Sequence, residues 1–176
     1  MSEQDRYQVR FDWGVPGAAA IGGDIVVWVD ALGEEPVPLA ALAARDVVRA
    51  DLRTAVTAAR WLLERQRALG ARQQIAVVAA GAARGDGWRT AVEDELAAGA
   101  VIAALGELGI DATSPEAAAA EAAYRGLGRA LGPLFAASVS GRADPPAPGA
   151  GRADPGASLV VLRAPQPAAG ATSSAR

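Results

Sequence analysis

The stretch that decides the fold is residues 74–105, QIAVVAAGAARGDGWRTAVEDELAAGAVIAAL. Its first part, residues 75–80, is a short apolar run rich in β-branched residues, which is typical of a strand buried on both faces. Gly81 ends that run, a glycine-containing loop follows over residues 82–88, and a helix is predicted to begin near Thr90. A strand, a loop and a helix in this order indicate a layered α/β fold with a mostly parallel sheet flanked by helices.

The loop after this strand is the first candidate binding site, because ligands of open α/β sheets bind beyond the carboxyl ends of the strands. Gly81 begins the loop, and Glu93 and Asp94 fall in the first turn of the helix that follows. Acidic residues in a first turn stabilise the positive end of the helix dipole. They are equally suited to form part of a site, so both interpretations stay open.

The composition restricts the chemistry. The chain has no cysteine, no histidine and no lysine, so its 17 basic residues are all arginines. This alphabet excludes cysteine and Ser-His nucleophiles, Schiff bases, P-loop lysines and zinc sites of the usual kind. The carboxylates and arginines that are present suit a site in which carboxylates hold a hard cation and arginine binds an anion.

The charge and the hydropathy pattern predict a single-domain cytoplasmic protein. A net charge of -3 and a pI near 5.0, with arginines scattered among acids, disfavour nucleic acid as a partner. The polar N-terminal segment has no signal-like apolar region, and no run approaches the roughly 20 apolar residues that a membrane span needs.

Two strands are predicted before the central unit. Residues 7–13 alternate in polarity and suit an edge strand or an arm, and residues 14–23 suit a loop or a short helix. Residues 24–30, DIVVWVD, form the clearest strand, which ends at Asp30. A carboxylate at that position either binds a cation or caps a turn.

The remaining elements are predicted from helical periodicity and capping. Residues 47–70 have the spacing of one long amphipathic helix, whose solvated face would include Arg49 and Arg65. A Ser-Pro-Glu start predicts a second helix over residues 116–131. Residues 134–140 are predicted to be a short strand.

These elements divide the chain into four parts. Residues 1–142 form the α/β domain, and residues 143–157, dense in proline and glycine, are expected to be a flexible linker. Residues 158–163 suit one extra strand. Residues 164–176 are expected to be a disordered tail.

Several segments together resemble the 2-phosphosulfolactate phosphatase family. They are YQVRFDWG at residues 7–14, IVVWVD at 25–30, DLRTAVTAARWLL at 51–63, IAVVAAG at 75–81, AVEDELAAGAVIAAL at 91–105 and SGR at 140–142. Their order and spacing agree over most of residues 7–142. The resemblance implies a Rossmann-like fold and magnesium-dependent hydrolysis of phosphosulfolactate to sulfolactate and phosphate.

The resemblance also implies a site built from strand ends and arginines. The implied catalytic residues are Asp30, Arg53 and Arg142; the substrate-binding residues are Gly81, Ser138, Ser140 and Gly141; and the ligands of Mg²⁺ are Asp30, Glu93 and Asp94. The substrate would be a small anionic phosphate ester, whose oxygens suit the planar guanidinium group. The nucleophile would be metal-bound water or Asp30 itself.

The chain departs from the family pattern after Asp30. Residues 31–48 lack the Ser/Thr-rich turn and the Asn-Gly segment of the family, and Glu34 and Glu35 would repel a phosphate dianion. We therefore expect weak or no turnover. The alternatives are a degenerate homologue that binds a small anion without catalysis, or a scaffold whose alanine-rich helices pack against a second copy of the chain.

Overall fold

The structure, a computed structural model, describes residues 3–33, 36–44, 46–85 and 87–163 and has a mostly parallel sheet at its centre. The strands found in those residues are β1 (Val9–Trp13), β2 (Ile25–Val29), β3 (Asp46–Ala50), β4 (Ile75–Ala79), β5 (Ala82–Arg84), β6 (Gly87–Arg89) and β7 (Val160–Arg163). Five of them form the main sheet in the order β1-β4-β2-β3-β7, in which β7 alone is antiparallel to its neighbour. Strands β5 and β6 form a separate hairpin.

Helices cover both faces of the sheet. They are α1 (Gly14–Ile21), α2 (Ala55–Leu69), α3 (Val92–Glu107), α4 (Pro115–Leu127), α5 (Leu131–Ala137) and α6 (Val139–Ala143). Alternate strand residues enter two different cores, as the period of a strand requires. The larger core contains residues of α2, α3 and α4, and the smaller core contains residues of α1 and of the segment before β3. The predicted α/β class with a mostly parallel sheet flanked by helices is confirmed.

The central strands are buried along their whole length. Every residue of β2 and of β4 is buried, and the two strands pair in parallel from Ile25 opposite Ile75 to Val29 opposite Ala79. Continuous apolar runs are what two helix-covered faces require. Strand β1 lies at the sheet edge, as one of the two interpretations of residues 7–13 predicted.

The prediction of one helix over residues 47–70 is wrong, because the segment begins with β3. The β-branched pair Val47 and Val48 continues the parallel ladder beside β2. A turn then separates β3 from α2: the Thr54 amide donates to Asp51 Oδ1 at 2.7 Å, and the Asp51 amide donates to Thr54 Oγ1 at 2.9 Å. These side chains satisfy backbone groups at the break, so the helix begins only after them.

The prediction of a strand over residues 134–140 is also wrong, because α5 and α6 occupy this segment. Leu131 and Phe135, four residues apart, are the buried residues of α5, which is a helical spacing. Ser138 then starts α6, since its Oγ accepts from the Gly141 amide at 3.0 Å.

Two arginines that were assigned to a solvated helix face bind carboxylates instead. Arg65 donates from Nε and Nη2 to the two oxygens of Asp46 at 2.9 and 3.0 Å, and Asp46 is completely buried. Arg49 lies on β3 and pairs with Asp30 at 3.3 Å. The bidentate pair between α2 and the first residue of β3 compensates for the burial of Asp46.

The C-terminal part of the described chain lies against the domain. Strand β7 pairs antiparallel with β3, within the stretch where an extra strand was predicted. Before it, Arg53 and Asp154 form an ion pair at 3.3 Å, and the Asp154 amide donates to the Arg53 carbonyl at 2.9 Å. The flexibility expected for residues 143–157 stays a prediction, and the tail at 164–176 lies outside the described residues.

The contact between α3 and α4 depends on a residue without a side chain. A Cβ atom on Gly99 would collide with the Ala120 carbonyl oxygen, whereas a Cβ on Gly106 of the same helix would meet nothing within 4 Å. We expect Gly99→Ala to lower the free energy of unfolding by about 1–3 kcal/mol, because the helices must move apart. Urea denaturation measures this change.

Gly106→Ala is the matched control. It adds the same methyl group at an open position, so it should raise the free energy of unfolding by up to ~1 kcal/mol through helix propensity. Equal effects of the two substitutions would show that the α3–α4 packing is not set by Gly99.

Candidate functional site

A cavity of about 1080 Å³ opens at the carboxyl end of the parallel strands. Its walls come from the ends of β1, β2 and β4, from the first turn of α3 and from α6. Five residues of the sequence-predicted site line it, namely Asp30, Gly81, Glu93, Asp94 and Ser140. Asp30 and Gly81 converge because the parallel arrangement brings the carboxyl ends of the strands to one edge, whereas Glu93 and Asp94 reach the cavity from the first turn of α3 and Ser140 from α6. Their roles in chemistry stay predictions.

Asp94 connects three of the elements that form the cavity. Its Oδ1 accepts a hydrogen bond from the Ala31 amide at 2.8 Å, and its Oδ2 accepts one from the Gly81 amide at 2.9 Å. These amides follow β2 and β4, so one carboxyl group joins the ends of two neighbouring strands to α3. The first-turn position of Asp94 therefore serves tertiary structure.

The environment of Asp94 favours its protonated form. Burial raises the pKa of Asp94 to about 8, against the opposing effect of the hydrogen bond from Ala31. The neighbouring charges of Asp30 and Glu93 raise the pKa further, and the bond from Gly81 lowers it. At neutral pH the group is therefore mostly uncharged.

Glu93 is the unusual member of the group. The residue is only 1% exposed, it lines the cavity, and its Oε2 has no hydrogen-bond partner among the described residues. A buried carboxylate oxygen without a partner is costly. A ligand that supplies a cation or an N–H donor would remove this cost.

Asp30 caps the turn after β2, which is one of the two roles considered for it, and its binding of a metal cation stays a prediction. Its Oδ1 accepts from the Gly33 amide at 2.7 Å, which closes the turn after β2, and its Oδ2 pairs with Arg49. Arg49 also donates to the Gly33 carbonyl. Asp30 is thus a turn residue that also faces the cavity. We refer to Asp30, Glu93 and Asp94 as the acidic floor.

The arginines that the family resemblance implied are not among the cavity-lining residues. Arg53 pairs with Asp154, and both side chains are about half exposed. Arg142 is exposed and donates to the Ala137 carbonyl at the end of α5. The expectation that Arg53 and Arg142 join Asp30 in one pocket is therefore corrected, because Arg53 lies in the turn before α2 and Arg142 in α6, and both guanidinium groups bind other partners.

The remaining predicted substrate-binding residues differ in their roles. Ser138 and Gly141 are structural, and Ser140 lines the cavity. Ser138 caps α6, and a Cβ on Gly141 would collide with the Phe135 carbonyl, so these two residues have packing roles. Ser140 lines the cavity, and its Oγ accepts from Arg89 Nη2 at 2.8 Å. Arg89 therefore lies beside the cavity, where sequence reasoning did not place it.

An aromatic pair forms the outer part of the cavity. Trp88 donates from Nε1 to the Ala80 carbonyl at 2.9 Å, and its ring packs against Gly81, where a Cβ atom would collide with it. Trp13 meets Trp88 edge to face, with centroids 5.9 Å apart and planes at 71°. Asp12 lines the cavity beside Trp13. Trp88 is 49% exposed, so this group lies on the solvent side of the cavity. We refer to Asp12, Trp13 and Trp88 as the mouth.

Sequence reasoning missed the mouth for two reasons. Asp12 and Trp13 end β1, so the strand-end rule that selected Asp30 would have selected them too. Trp88 reaches the cavity through the β5–β6 hairpin, and no local pattern predicts where its ring packs. The carboxylates Glu34 and Glu35, which were expected to repel phosphate, and Asp86 of the hairpin lie outside the described residues.

The acidic floor has the right atoms for a hard cation but not a complete set of metal ligands. Within residues 3–33, 36–44, 46–85 and 87–163, no three acidic residues are grouped closely enough to hold a metal ion. Magnesium commonly takes one or two carboxylates and completes its shell with water and substrate phosphate. The oxygen chemistry of Glu93 and Asp30 fits magnesium bound in that way.

Comparison with known proteins assigns no family to the chain. No protein-family model matches the chain, and no curated protein sequence matches it. The resemblance to phosphosulfolactate phosphatases therefore depends on the quoted segments alone.

The helices were also compared with the requirements of a membrane span. In the part of the chain that the structure describes, none is both long enough and apolar enough to cross a bilayer.

The buried carboxyl of Asp94 predicts a pH-dependent stability. Its pKa is about 8 in the folded state and about 3.9 when unfolded, so its contribution is fully present below pH ~4 and is lost as the pH rises towards 8. Asp94→Asn removes this titration. In metal-free buffer, the stability advantage of the unsubstituted protein over Asp94→Asn should shrink as pH rises, by up to ~1.4 kcal/mol per pH unit, and should change sign before pH 8.

Chemical denaturation at several pH values measures that difference. Asp94→Asn should itself be destabilising at low pH by about 1–3 kcal/mol, because the amide can accept from only one of the two backbone N–H groups. Asp111→Asn, on an exposed residue, is the control and should leave the pH profile unchanged. A constant difference between Asp94→Asn and the unsubstituted protein across this range would contradict the buried, protonated Asp94.

Proposed function

We propose that the cavity is the active site of a Rossmann-like, magnesium-dependent phosphatase that acts on a small phosphate monoester. The observation that carries the proposal is the buried Oε2 of Glu93, which lacks a partner and lines a cavity at the carboxyl edge of a parallel sheet. The resemblance to phosphosulfolactate phosphatases supports the reaction class. A cytoplasmic location and a homo-oligomeric state stay predictions from the sequence.

Glu93 and Asp30 are the carboxylates that would hold the metal. Bound magnesium would neutralise charge on the transferring phosphoryl group. Arg49 fixes Asp30 from the opposite side, at 3.3 Å, and so keeps that carboxylate oriented at the end of β2. The two backbone hydrogen bonds of Asp94 keep the floor rigid.

Ser140 and Arg89 supply donors on another wall of the cavity. The hydroxyl of Ser140 lines the cavity and can donate to a phosphate oxygen while it accepts from Arg89. The guanidinium of Arg89 brings positive charge close to that wall, which suits phosphate oxygens. In the hydrolysis, a water oxygen bonds to phosphorus, the ester P–O bond breaks, and the alcohol leaves with a proton from water.

A second candidate, ligand binding without turnover, is favoured by the charges of the cavity. Among the described residues that line it none is basic, while Asp12, Asp30, Glu93 and Asp94 are all acidic. A phosphate dianion alone would be repelled there. This candidate corresponds to the degenerate homologue considered from the sequence.

Glu93→Gln tests the phosphatase proposal, because it removes the charge and preserves the shape of the side chain. Phosphate release from phosphosulfolactate and from p-nitrophenyl phosphate is measured with and without magnesium. We expect a slow, magnesium-dependent release that falls about 100-fold or more in Glu93→Gln, the usual scale for loss of a placed electrostatic group.

Two substitutions serve as controls. Glu95→Gln changes a partly exposed carboxylate in the same first turn of α3, and Arg142→Ala changes an exposed residue outside the cavity; both should keep the rate. Magnesium binding, measured by calorimetry, separates the candidates. Binding without release supports the second candidate, whereas release that persists in Glu93→Gln, or the absence of both binding and release, overturns the proposed site.

A further inference from the structure

The mouth has the composition of a site for an organic cation. Trp13 and Trp88 present two indole rings at 71° to each other, with centroids 5.9 Å apart, and both line the cavity. The faces of indole rings attract cations, and perpendicular aromatic walls are how proteins recognise alkylammonium groups. Trp28 lines the same cavity and is itself mostly buried.

Carboxylates accompany these rings. Asp12 lines the cavity next to Trp13, its Oδ1 accepts only the neighbouring Trp13 amide at 2.7 Å, and it forms no ion pair within the described chain. The unpartnered Oε2 of Glu93 is a second, buried acceptor on the same cavity. No basic side chain competes for these oxygens among the described lining residues.

We propose that the mouth binds an alkylammonium group, so that the substrate of the phosphatase is the phosphate ester of an amino alcohol. The ester half of this statement depends on the proposed function; the binding of the ammonium group does not. The mouth and the acidic floor adjoin at Gly81, whose amide donates to Asp94 and whose Cα lies under the Trp88 ring. One small molecule can therefore reach both.

Charge balance favours this class over esters with a second anionic group. One magnesium ion and one phosphate dianion neutralise each other, and Arg49 offsets Asp30. The carboxylates of Asp12 and Glu93 then remain in a largely apolar cavity, and Arg89, which binds Ser140 beside the cavity, offsets at most one of these two charges, so an excess of negative charge is left. An ammonium group reduces that excess, whereas a carboxylate or sulfonate on the substrate would increase it.

The direct test uses choline and its neutral isostere 3,3-dimethylbutan-1-ol, without phosphate and without magnesium. Calorimetric titration of the full chain should give binding of choline and at least about tenfold weaker binding of the alcohol, because only choline gains from the indole faces and the carboxylates. Equal affinities, or no binding of choline at its highest usable concentration, would overturn the inference.

Substitutions locate the binding to the mouth. Trp88→Leu should weaken choline binding about tenfold, and Trp88→Phe should restore most of it, since an aromatic face returns. Asp12→Asn keeps the acceptor for the Trp13 amide and should weaken choline binding several-fold. Trp61→Phe changes a tryptophan on α2 that does not line the cavity, so it should keep full affinity.

Circular dichroism confirms that each variant is folded before it is titrated. Trp88 is half exposed on a hairpin, so its replacement should leave the α/β core intact. Unchanged choline affinity in folded Trp88→Leu and Asp12→Asn proteins would overturn the assignment to the mouth.

Phosphocholine separates failure of this inference from failure of the phosphatase proposal. Choline binding with no magnesium-dependent phosphate release from phosphocholine would leave the ammonium site standing and count against the phosphatase. Phosphate release from phosphosulfolactate, with no choline binding, would support the phosphatase proposal and overturn the ammonium site. Faster release from phosphocholine than from 3,3-dimethylbutyl phosphate, lost in Trp88→Leu, would support both.

Discussion

The double hydrogen bond of Asp94 is the contact on which the candidate site depends. One carboxyl group in the first turn of α3 accepts the amides of Ala31 and Gly81, which follow β2 and β4. The parallel register brings these two strand ends side by side, and Asp94 then fixes the loops that leave them. Burial makes the charged form expensive and raises the pKa of Asp94 to about 8. The same desolvation strengthens any interaction between the acidic floor and a bound cation.

Arginine and carboxylate are distributed unevenly around this contact. Arg65 is used to compensate buried Asp46, and Arg49 compensates Asp30 from outside the cavity, while Arg53 and Arg142 interact elsewhere on the surface. Arg49 and Arg89 each reach a cavity-lining side chain, Asp30 and Ser140 respectively, and Arg89 does so from the hairpin. The described lining is therefore acidic and aromatic. Such a lining favours a ligand that brings positive charge, either as a metal ion or as part of an organic molecule.

The parts of the fold that sequence predicted are those whose pattern is local. Strands β2 and β4 are continuous apolar runs, so they were predicted within a residue or two, and the strand-end rule brought Asp30, Gly81 and Glu93 to one edge. Strand β3 was hidden because its apolar residues keep helical spacing across the turn into α2, and only the pairing with β2 distinguishes the two structures. The same limit applies to the site. Arg53 and Arg142 were chosen by resemblance, and the residues of a surface turn or of the short helix α6 do not by themselves determine which group such a side chain contacts.

Glu93 is the residue that most strongly indicates a bound ligand. A side chain of similar size without charge would fill its place without a desolvation cost, so this glutamate lowers the stability of the unliganded protein. Its neighbour Asp94 meets the same environment with two backbone hydrogen bonds, whereas Oε2 of Glu93 has no hydrogen-bond partner among the described residues. Groups that oppose folding in this way concentrate where a ligand later relieves them. In the proposed function, magnesium and an alkylammonium group would relieve different parts of the same charge imbalance, the first at the acidic floor and the second at the mouth, and a single amino-alcohol phosphate with its metal would relieve both.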